Sequence, residues 1–531
     1  MTETAAPQST LLTGLSGAWS RRCATALTVL TLAACASHAD GPTAAQSDER
    51  RLFTETNESI LEYHIQQVQP RQLALTGLAR LSSIDPQVSI DSTAGAVTLA
   101  VAGQVRRYDA PGAGELVDWS VLTSRILDDA RSLSPIVAAT APDKLEELVI
   151  DGTLANLDPY SRYVPPDVAR EHRATRDGFG GIGVTLDFHE HDVRIAGVMP
   201  DTPAATAGLL PGDRIVALDG VPVEQLTPDD IRKHLRGPAQ TLVQLAVARQ
   251  GVAKPLKVAV QRARIVPDTV SLKEKGDIAW LKITLFNQQT GERLGELLKQ
   301  AHRDMGDNLR GIVLDLRDNP GGLLDQSVDV VSLFVQKGDV LRTIGRNPGA
   351  MQHFTATGNR VVETAPMAVL VNGGSASASE IVASALQDSG RAVVIGTSSY
   401  GKGTVQTVVR TSNDGELTVT WAQIITAGGY QLNTHGVVPT VCTSEQADSQ
   451  ANAARLLPAS ASPLQPSLLR SRLSLDDQAW QHLRALCPAE REKSTLDEFV
   501  ATRLLDTPAI YHAAISSMQP DSAARLSASA R

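Results

Sequence analysis

The stretch MAVLVNGGSASASEIVASALQDSGRAVVIGTSSYGKGTVQ, residues 367–406, decides the fold. Its apolar start, residues 367–371, predicts a buried strand that ends in an Asn-Gly-Gly turn. A helix of small residues follows, and Ser377 and Glu380 open it with the spacing of a capping box. A second buried strand, residues 392–395, then leads into a loop. Strand, turn, helix and strand in this order indicate an open α/β fold, which carries its chemistry where strands hand over to helices.

Two polar side chains of this stretch are candidates for chemistry. Ser377 lies at the predicted N-terminus of the helix, where the positive end of the helix dipole favours an oxyanion. Lys402 lies between two glycines, which allow another backbone to approach closely. Each residue also has a plainer interpretation. Ser377 and Glu380 could serve only as a helix cap, and most lysines are solvated surface residues.

The loop around Lys402 also imitates a nucleotide-binding loop. Residues 396–402 fit the pattern GxxxxGK, in which backbone N–H groups and the lysine hold phosphates. That pattern continues with Ser or Thr, which binds magnesium, and with the start of a helix. Here Gly403 follows, and residues 404–409 have the pattern of a strand. The nucleotide interpretation therefore fails.

The same stretch resembles the C-terminal processing (tail-specific) peptidases, which are serine enzymes with a Ser/Lys dyad. In that family the nucleophile is the middle serine of SASASE, the base is the lysine of a GKG loop 25 residues later, and a glutamine four residues beyond the lysine assists. The resemblance places these roles on Ser377, Lys402 and Gln406. It implies a serine endopeptidase that needs neither a metal nor an organic cofactor.

A glycine loop earlier in the chain resembles a second part of the family pattern. Residues 311–317 predict a buried strand, and the sequence DNPGG that follows it resembles the family's RxNPGG loop. The family uses a backbone N–H of this loop in its oxyanion hole. The resemblance thus implies Gly321 or Gly322 as one donor and Ala378 as the other. Without the resemblance, the loop also fits a plain strand-to-helix turn.

Residues from about 178 to 264 resemble a PDZ domain, which this family carries as an internal module. Successive glycines expose backbone N–H groups that can bind the terminal carboxylate of a peptide. A short helix at 229–235 and the neighbouring strand are predicted to form the peptide groove. A generic small β-domain is the alternative. The resemblance implies protein or peptide substrates with accessible C-termini. The predicted carboxylate-binding loop consists of Gly180, Gly181, Ile182 and Gly183.

The N-terminus resembles a bacterial export signal. Arg21 and Arg22 precede an apolar run, residues 24–34, that is too short to span a membrane as a stable helix. The sequence LAAC that ends at Cys35 resembles a lipobox, in which the cysteine is lipidated and becomes the mature N-terminus. Cleavage after Ala39 is the alternative. We therefore expect a periplasmic protein of the cell envelope, held to a membrane by a lipid anchor, with the outer membrane favoured.

The net charge and the cysteines indicate which partners and bound groups to expect. The net charge is −9 and no basic block is present, which argues against nucleic acid as the main partner. Cys442 and Cys487 lie outside the signal region, and in an oxidising compartment we expect them to form a disulfide. Neither lies in a CxxC motif, so we expect no metal site. Whether the chain forms a homo-oligomer or uses an adaptor protein stays open.

Together the patterns predict a multidomain α/β protein: a helical N-terminal region, a PDZ β-domain, and an α/β serine-protease core with a nucleophile at a strand-to-helix turn. A catalytically inactive, lipid-anchored PDZ scaffold is the functional alternative. Residues 445–473 are rich in Ala, Ser and Pro, which predicts a loose linker. The predicted boundaries are 1–35 for a signal peptide with lipobox, 36–50 for a linker, 51–174 for a mostly helical N-terminal domain, 175–266 for the PDZ domain, 267–441 for the catalytic core and 442–531 for a C-terminal extension.

The chain departs from the family pattern at several points. The family's LDPHS segment is LDPYS here, with Tyr160 in place of the histidine, a position that we interpret as structural. Its TPSGR segment is TAGGY, residues 426–430, and its closing G-x-x-P-D ends in Thr440. These departures leave the edges of the substrate groove and the substrate preference open.

Overall fold

The computed structural model describes residues 44–189, 192–358, 365–457 and 477–518. The predicted signal peptide and lipobox, including Cys35, lie outside these residues. No helix of the described ranges is both long and apolar enough to cross a membrane.

The N-terminal region packs helices against a small antiparallel sheet of order β1-β2-β3. Trp119, in the helix Leu116–Leu133, is fully buried in the cluster that joins these elements. Leu417 and Val419, from a hairpin far along the chain, belong to the same cluster. The region therefore packs directly on the predicted core. Its elements are α1 (Ala44–Tyr63), α2 (Pro70–Ala79), β1 (Val88–Ser92), β2 (Ala96–Val101), β3 (Gln104–Asp109), α3 (Leu116–Leu133), α4 (Pro135–Ala139) and α5 (Pro142–Leu154).

Helix α1 begins earlier than the sequence analysis predicts. Residues 36–50 are predicted to be a linker, but α1 starts at Ala44. The carboxylate of Glu49 is buried and accepts a hydrogen bond from Arg131 of α3 at 2.6 Å. The prediction followed the small residues of this stretch and missed the buried ion pair, which holds the beginning of α1 onto α3.

A short connecting segment joins the N-terminal region to the β-domain and contains β4 (Arg162–Val164) and α6 (Pro166–Asp177). Strand β4 pairs with residues 416–418 of the core. Arg176 of α6 forms an ion pair with Glu416 at 3.0 Å. The segment that leads into the β-domain is thus anchored on the core.

The β-domain has a sheet of order β11-β10-β8-β7-β6, so β6 is an edge strand. Helix α8 lies across a groove from β6. An edge strand that faces a helix across a groove can accept a peptide as an added strand. The elements are β5 (Phe179–Gly181), β6 (Val184–His189), β7 (Asp192–Val198), α7 (Pro203–Thr206), β8 (Arg214–Leu218), β9 (Val221–Pro222), α8 (Pro228–Leu235), β10 (Leu242–Ala248), β11 (Leu256–Gln261) and β12 (Ala263–Ile265).

The core contains two sheets. The first has the order β13-β14-β15-β18-β19-β22 and is parallel from β14 onward, and the second has the order β17-β16-β21-β20. The elements are β13 (Val270–Lys275), β14 (Ile278–Ile283), α9 (Thr290–Met305), β15 (Gly311–Asp315), α10 (Leu324–Ser332), β16 (Asp339–Ile344), β17 (Gln352–Thr355), β18 (Met367–Val371), α11 (Ala378–Asp388), β19 (Val393–Gly396), β20 (Thr404–Arg410), β21 (Glu416–Thr426) and β22 (Val441–Cys442).

The two central strands of the first sheet position the candidate site. Strands β15 and β18 are parallel neighbours. Every residue of β18 is buried, as expected for a strand covered on both faces. Because parallel neighbours end at the same edge of a sheet, the loop 318–322 after β15 meets the turn 372–377 after β18.

The C-terminal extension covers the second face of this sheet. Side chains of α9, α10 and α11 pack on one face. On the other face, Leu496, Val500 and Leu504 of the extension pack in one cluster with Val313 and Leu370 of the sheet. A mainly parallel sheet requires both faces covered, so the extension completes the core. Its elements are α12 (Gln450–Leu456), α13 (Asp477–Leu486), α14 (Thr495–Asp506) and α15 (Pro508–Met518).

The prediction of a loose linker at 445–473 is wrong for its first part, because α12 lies within it. The hydroxyl of Ser449 caps this helix by accepting a hydrogen bond from the backbone N–H of Asn452 at 3.1 Å. Ala453 and Leu457 are buried with residues of α14. The Ala- and Ser-rich composition suggested disorder, but the same residues allow a capped helix whose alanine face packs closely.

Cys442 and Cys487 form a disulfide, with their Cα atoms 5.9 Å apart. It joins the end of β22 to the residue that follows α13.

We expect replacement of both cysteines by serine to lower the free energy of unfolding by about 3–4 kcal/mol, because the bond closes a loop of 45 residues in the unfolded chain. Guanidinium unfolding of the two proteins without reductant measures the difference. Free thiols at both positions in protein purified without reductant, detected by alkylation under denaturing conditions, would contradict the pairing.

Candidate active site

Ser377 lies directly before α11 in an unusual backbone conformation, with φ 56° and ψ −116°. Positive φ is uncommon for a residue with a side chain and costs energy that the surrounding structure must supply. A strained turn between a strand and a helix is also how α/β hydrolases present a nucleophile. The conformation singles out Ser377 among the residues of the turn.

The three serines of SASAS differ in their surroundings. The hydroxyl of Ser375 donates to the carbonyl oxygen of Leu316 at 2.8 Å, and that of Ser379 donates to the carbonyl oxygen of Asn319 at 2.9 Å. These two bonds hold the turn against the loop after β15. Ser377 instead lines a cavity of about 590 Å³. Among these serines, Ser377 is the one whose position suits a reaction with a bound peptide.

The cavity brings together the three side chains that the sequence proposes for catalysis. Ser377, Lys402 and Gln406 all line it. Val405 and Gln406, which are adjacent in β20, both line the cavity. Apolar residues form much of the remaining wall: Leu285, Phe286, Leu324, Ile381 and Ile424.

The glycine loop after β15 has one N–H group already engaged. The N–H of Gly321 donates to the side-chain oxygen of Asn319 at 2.9 Å. For the N–H of Gly322 no acceptor is found in the described part of the chain. Both glycines have positive φ, and a Cβ on Gly322 would lie 2.0 Å from the carbonyl oxygen of Phe286. Of the two residues that the sequence left open, Gly322 has the N–H that is free to bind an oxyanion.

Ala378 supplies a second N–H at this place. It is the first residue of α11, and the first N–H groups of a helix have no partner within the helix. A Cβ on Gly321 would lie 3.0 Å from the nitrogen of Ala378 and 2.7 Å from the Cβ of Ser377. The glycine loop and the helix N-terminus are thus in direct contact around Ser377.

Glu380 connects the nucleophile turn to the lysine loop. Its carboxylate is fully buried and accepts four hydrogen bonds. The N–H groups of Ser377 and Lys402 donate to Oε2 at 2.8 and 2.9 Å, and the N–H of Gly401 donates to Oε1 at 2.7 Å. The hydroxyl of Ser399 is the fourth donor. The predicted cap is therefore present on the Glu380 side, and it also fixes the loop that carries Lys402.

The surroundings of Lys402 favour the neutral amine. Burial lowers the pKa of Lys402, and the positive charge of Arg162 lowers it further. The carboxylates of Glu380 and Asp158 act in the opposite direction. The ring centroid of Tyr160 lies 5.1 Å from Nζ. A neutral amine is the form of lysine that can accept a proton.

The LDPYS segment contacts the site through residues whose sequence pattern did not predict these contacts. The side-chain amide of Gln406 donates to the hydroxyls of Thr404 at 2.8 Å and Thr420 at 3.3 Å. The hydroxyl of Thr420 in turn donates to Asp158 at 2.8 Å. Tyr160, interpreted as structural, lies beside Lys402. The match of the LDPYS segment to the family pattern could have indicated a role near the site. The match alone does not show which residues the segment contacts.

Residues of the C-terminal extension form hydrogen bonds with the turn before α11 and with the loop that carries Lys402. The carbonyl oxygen of Glu490 accepts a hydrogen bond from the N–H of Gly373, in the nucleophile turn, at 2.7 Å. Arg484 donates to the carbonyl oxygen of Ser399, in the lysine loop, at 3.0 Å. No motif of the extension predicted these contacts.

The groove of the β-domain contains only part of the predicted carboxylate loop. Ile182 and Gly183 line it. Gly180 and Gly181 instead belong to β5 and pair with Arg264 and Ala263 of β12. The carbonyl oxygen of Gly180 also accepts a hydrogen bond from the N–H of Gly237. The structure therefore places the candidate carboxylate site at the second half of the predicted loop.

In the residues that the structure describes, no group of three or more His, Cys, Asp or Glu side chains is arranged to hold a metal ion.

The core and the β-domain each match a known protein family. Residues 277–443 match Peptidase family S41, and residues 194–249 match the PDZ domain family. A carboxy-terminal-processing protease of Bartonella bacilliformis is 39% identical over 310 residues, which are 58% of this chain and 71% of that protein. A CtpA-like serine protease of Staphylococcus aureus is 34% identical over 306 residues, 56% of this chain and 60% of that protein.

A solved structure is also similar. The photosystem II D1 C-terminal processing protease is 24% identical with a TM-score of 0.38, and the match covers 74% of this chain and 92% of that one. The sequence relatives and the family matches agree with the resemblance that the nucleophile stretch indicates. The chain belongs to the carboxy-terminal-processing proteases of peptidase family S41, serine peptidases that here carry an internal PDZ domain.

Proposed function

We propose that this chain is an exported endopeptidase that captures proteins by their C-termini in the PDZ groove and cleaves them with a Ser377–Lys402 dyad. The observation that supports the dyad most directly is the shared cavity of Ser377, Lys402 and Gln406, next to the N–H groups of Gly322 and Ala378. The fixed backbone of both dyad residues, held through Glu380, adds to this support.

The acylation step follows from these positions. The neutral amine of Lys402 takes the proton of the Ser377 hydroxyl while Oγ attacks the carbonyl carbon of the peptide bond. The N–H groups of Gly322 and Ala378 donate to the oxyanion that forms. When the tetrahedral intermediate collapses, the C–N bond breaks and the ammonium of Lys402 gives its proton to the leaving amine.

The acyl-enzyme is then hydrolysed by the same groups. Lys402, neutral again, takes a proton from water, and the water oxygen attacks the ester carbonyl. The intermediate releases the new carboxyl terminus and restores the hydroxyl of Ser377. Gln406 is a positioning residue in this scheme. Its amide group is tethered to Thr404 and Thr420, which leaves its oxygen available to hold the amine of Lys402.

Capture by the C-terminus makes a direct prediction for peptide binding. With the full-length Ser377→Ala protein, amidation of a tail peptide should weaken binding by about 1–3 kcal/mol, because the donors that meet the carboxylate lose a charged acceptor. Fluorescence anisotropy of labelled peptides, acid against amide, measures the difference. Equal affinity of the two forms would mean that the groove binds internal segments, or that it binds no substrate.

The proposed export has a separate test. We expect radiolabelled palmitate to be incorporated into the wild-type protein in a bacterial host and not into Cys35→Ser, since the lipobox cysteine is the acceptor. Equal labelling of both proteins would remove the lipid anchor from the proposal and leave ordinary secretion with cleavage after Ala39.

A further inference from the structure

The peptide groove of the PDZ domain has an apolar floor. The groove has a volume of about 220 Å³ and lies between β6 and α8. Val184 and Leu186 of β6 line one side, Leu235 of α8 lines the other, and Ile182 lines the end at the carboxylate loop. This lining suits an apolar side chain at the last residue of a bound tail.

Arg232 of α8 and Arg236, the residue that follows α8, line the same groove, and each lies over a phenylalanine ring. The guanidinium carbon of Arg232 lies 4.9 Å from the ring centroid of Phe188, and that of Arg236 lies 4.4 Å from the ring centroid of Phe179. Stacking on an aromatic face shields a cation from water on one side and holds it in place. The groove of an acidic protein therefore presents two fixed positive charges to its ligand.

The carboxylates that now pair with these arginines are exposed and easily exchanged. Arg232 contacts Asp229 at 2.8 Å and Arg236 contacts Glu171 at 2.7 Å. The side chains of Asp229 and Glu171 are 78% and 62% exposed. Exposed ion pairs contribute only about 0–1 kcal/mol, so a ligand carboxylate can replace them at little cost.

The distance between Arg232 and Arg236 along the helix is close to the distance between alternate residues of an extended peptide. Arg236 lies at the end of the groove that contains Ile182 and the carboxylate loop, and Arg232 lies towards Phe188 at the far end of β6. Four helical residues advance by about 6 Å, and two residues of a strand advance by about 6.8 Å. Since alternate side chains of a strand share a face, the residues two and four positions before the last face the same side as the terminal side chain.

We propose that the PDZ groove selects tails that end in an apolar residue and carry an acidic side chain two or four residues before it, where the carboxylate pairs with Arg232. The inference rests on the proposed capture of C-termini and adds the class of tail that is captured. Arg236, at the carboxylate end, strengthens binding of every free C-terminus and does not select among tails.

The test uses the full-length Ser377→Ala protein, which still contains the complete groove. Peptides with Glu, Gln or Lys at the second or fourth position before a terminal valine are compared by fluorescence anisotropy. We expect Glu to bind about three- to ten-fold more tightly than Gln at one of these positions, and Lys to bind most weakly. The advantage of Glu should shrink in high salt, which screens a partly exposed pair.

Charge reversal gives the decisive comparison. Arg232→Glu should reverse the order, so that Lys binds more tightly than Glu. Lys233→Glu is the matched control, because it makes the same change on the next residue of α8, which is exposed and does not line the groove. It should leave the Glu-to-Lys ratio nearly unchanged.

Capture of the C-terminus and selection by Arg232 would be contradicted by different results. Equal binding of acid and amide peptides would contradict capture by the C-terminus itself. A preference for the free acid together with equal affinities for Glu, Gln and Lys at both positions would overturn the selection by Arg232 and leave capture intact. A Glu preference that persists unchanged in Arg232→Glu would also overturn it.

Discussion

Replacement of Lys402 by arginine is expected to remove peptide hydrolysis as completely as replacement by alanine, a loss of at least about 10³-fold in kcat/KM. Arginine keeps the positive charge and much of the length of lysine, but its guanidinium stays protonated and cannot accept the proton of Ser377. Ser377→Ala should be equally inactive. The double variant should be little worse than either single variant, since the two residues act as one unit.

The pH dependence tests the same mechanism in the wild-type protein. The ordinary pKa of lysine is about 10.4, and burial and Arg162 lower it at Lys402. In the proposed mechanism the neutral amine of Lys402 is the active form, and it is lost as the pH falls through the lowered pKa. Activity should therefore fall on the acid side with a single titration below the ordinary pKa of lysine. EDTA and thiol alkylation should leave the activity unchanged, because the proposed mechanism uses neither a metal nor a cysteine.

A matched substitution separates loss of the base from loss of the fold. Lys282→Arg changes another lysine of the core, one that pairs with Asp315 at 3.4 Å, where arginine can make the same ion pair. It should retain activity. A fluorophosphonate probe should label this variant and the wild type at Ser377. Substantial peptidase activity in purified Lys402→Arg, or loss of wild-type activity in EDTA, would show that the Ser/Lys mechanism is wrong. Absence of both labelling and hydrolysis in the wild type would favour an inactive scaffold.

The part of the site formed by consecutive residues could be predicted, because its strand, turn and helix each have a local sequence pattern. The apolar run at 367–371 is β18 with the same bounds, and the small-residue segment that follows is α11. The positions of Ser377 and Glu380 around the start of that helix follow from capping chemistry. The buried strand 311–315 and the glycine loop after it could be predicted in the same way. A continuous apolar run that ends in glycines is typical of a buried strand followed by a turn.

The long-range part could not be predicted, because no local pattern encodes it. Asp158 and Thr420 are 262 residues apart in sequence, yet their hydrogen bond continues the support of Gln406 into the N-terminal region. Arg317 is another example. It is 4% exposed and pairs with Asp315 in its own strand end and with Asp497 of α14, 180 residues away. A single sequence shows that such residues are polar, but it does not show which polar groups will meet in the fold.

The second large effect is expected at Glu380, which takes no part in the bond-making steps. Glu380→Gln should lower kcat/KM by about 10²-fold, since a displacement of roughly 1 Å between catalytic groups has that effect. The carboxylate accepts from four donors, two on each oxygen. An amide has one oxygen, so its NH₂ group would face N–H donors at the other site and push the turn of Ser377 and the loop of Lys402 apart. We expect the free energy of unfolding to fall by about 2–4 kcal/mol as buried donors lose their acceptor.

Because Glu380 connects the two residues of the proposed dyad, we expect its replacement to lower activity as well as stability. Glu49→Gln is the matched control, because Glu49 is also buried and paired, with Arg131, but lies in the N-terminal region. Both variants should unfold at lower denaturant concentration, whereas only Glu380→Gln should lose activity under conditions where both remain folded by circular dichroism. Its loss should appear in kcat and in the rate of fluorophosphonate labelling, while tail peptides bind the PDZ groove as before. Equal activity losses in the two variants, or full activity in folded Glu380→Gln, would show that Glu380 stabilises the core without positioning the dyad.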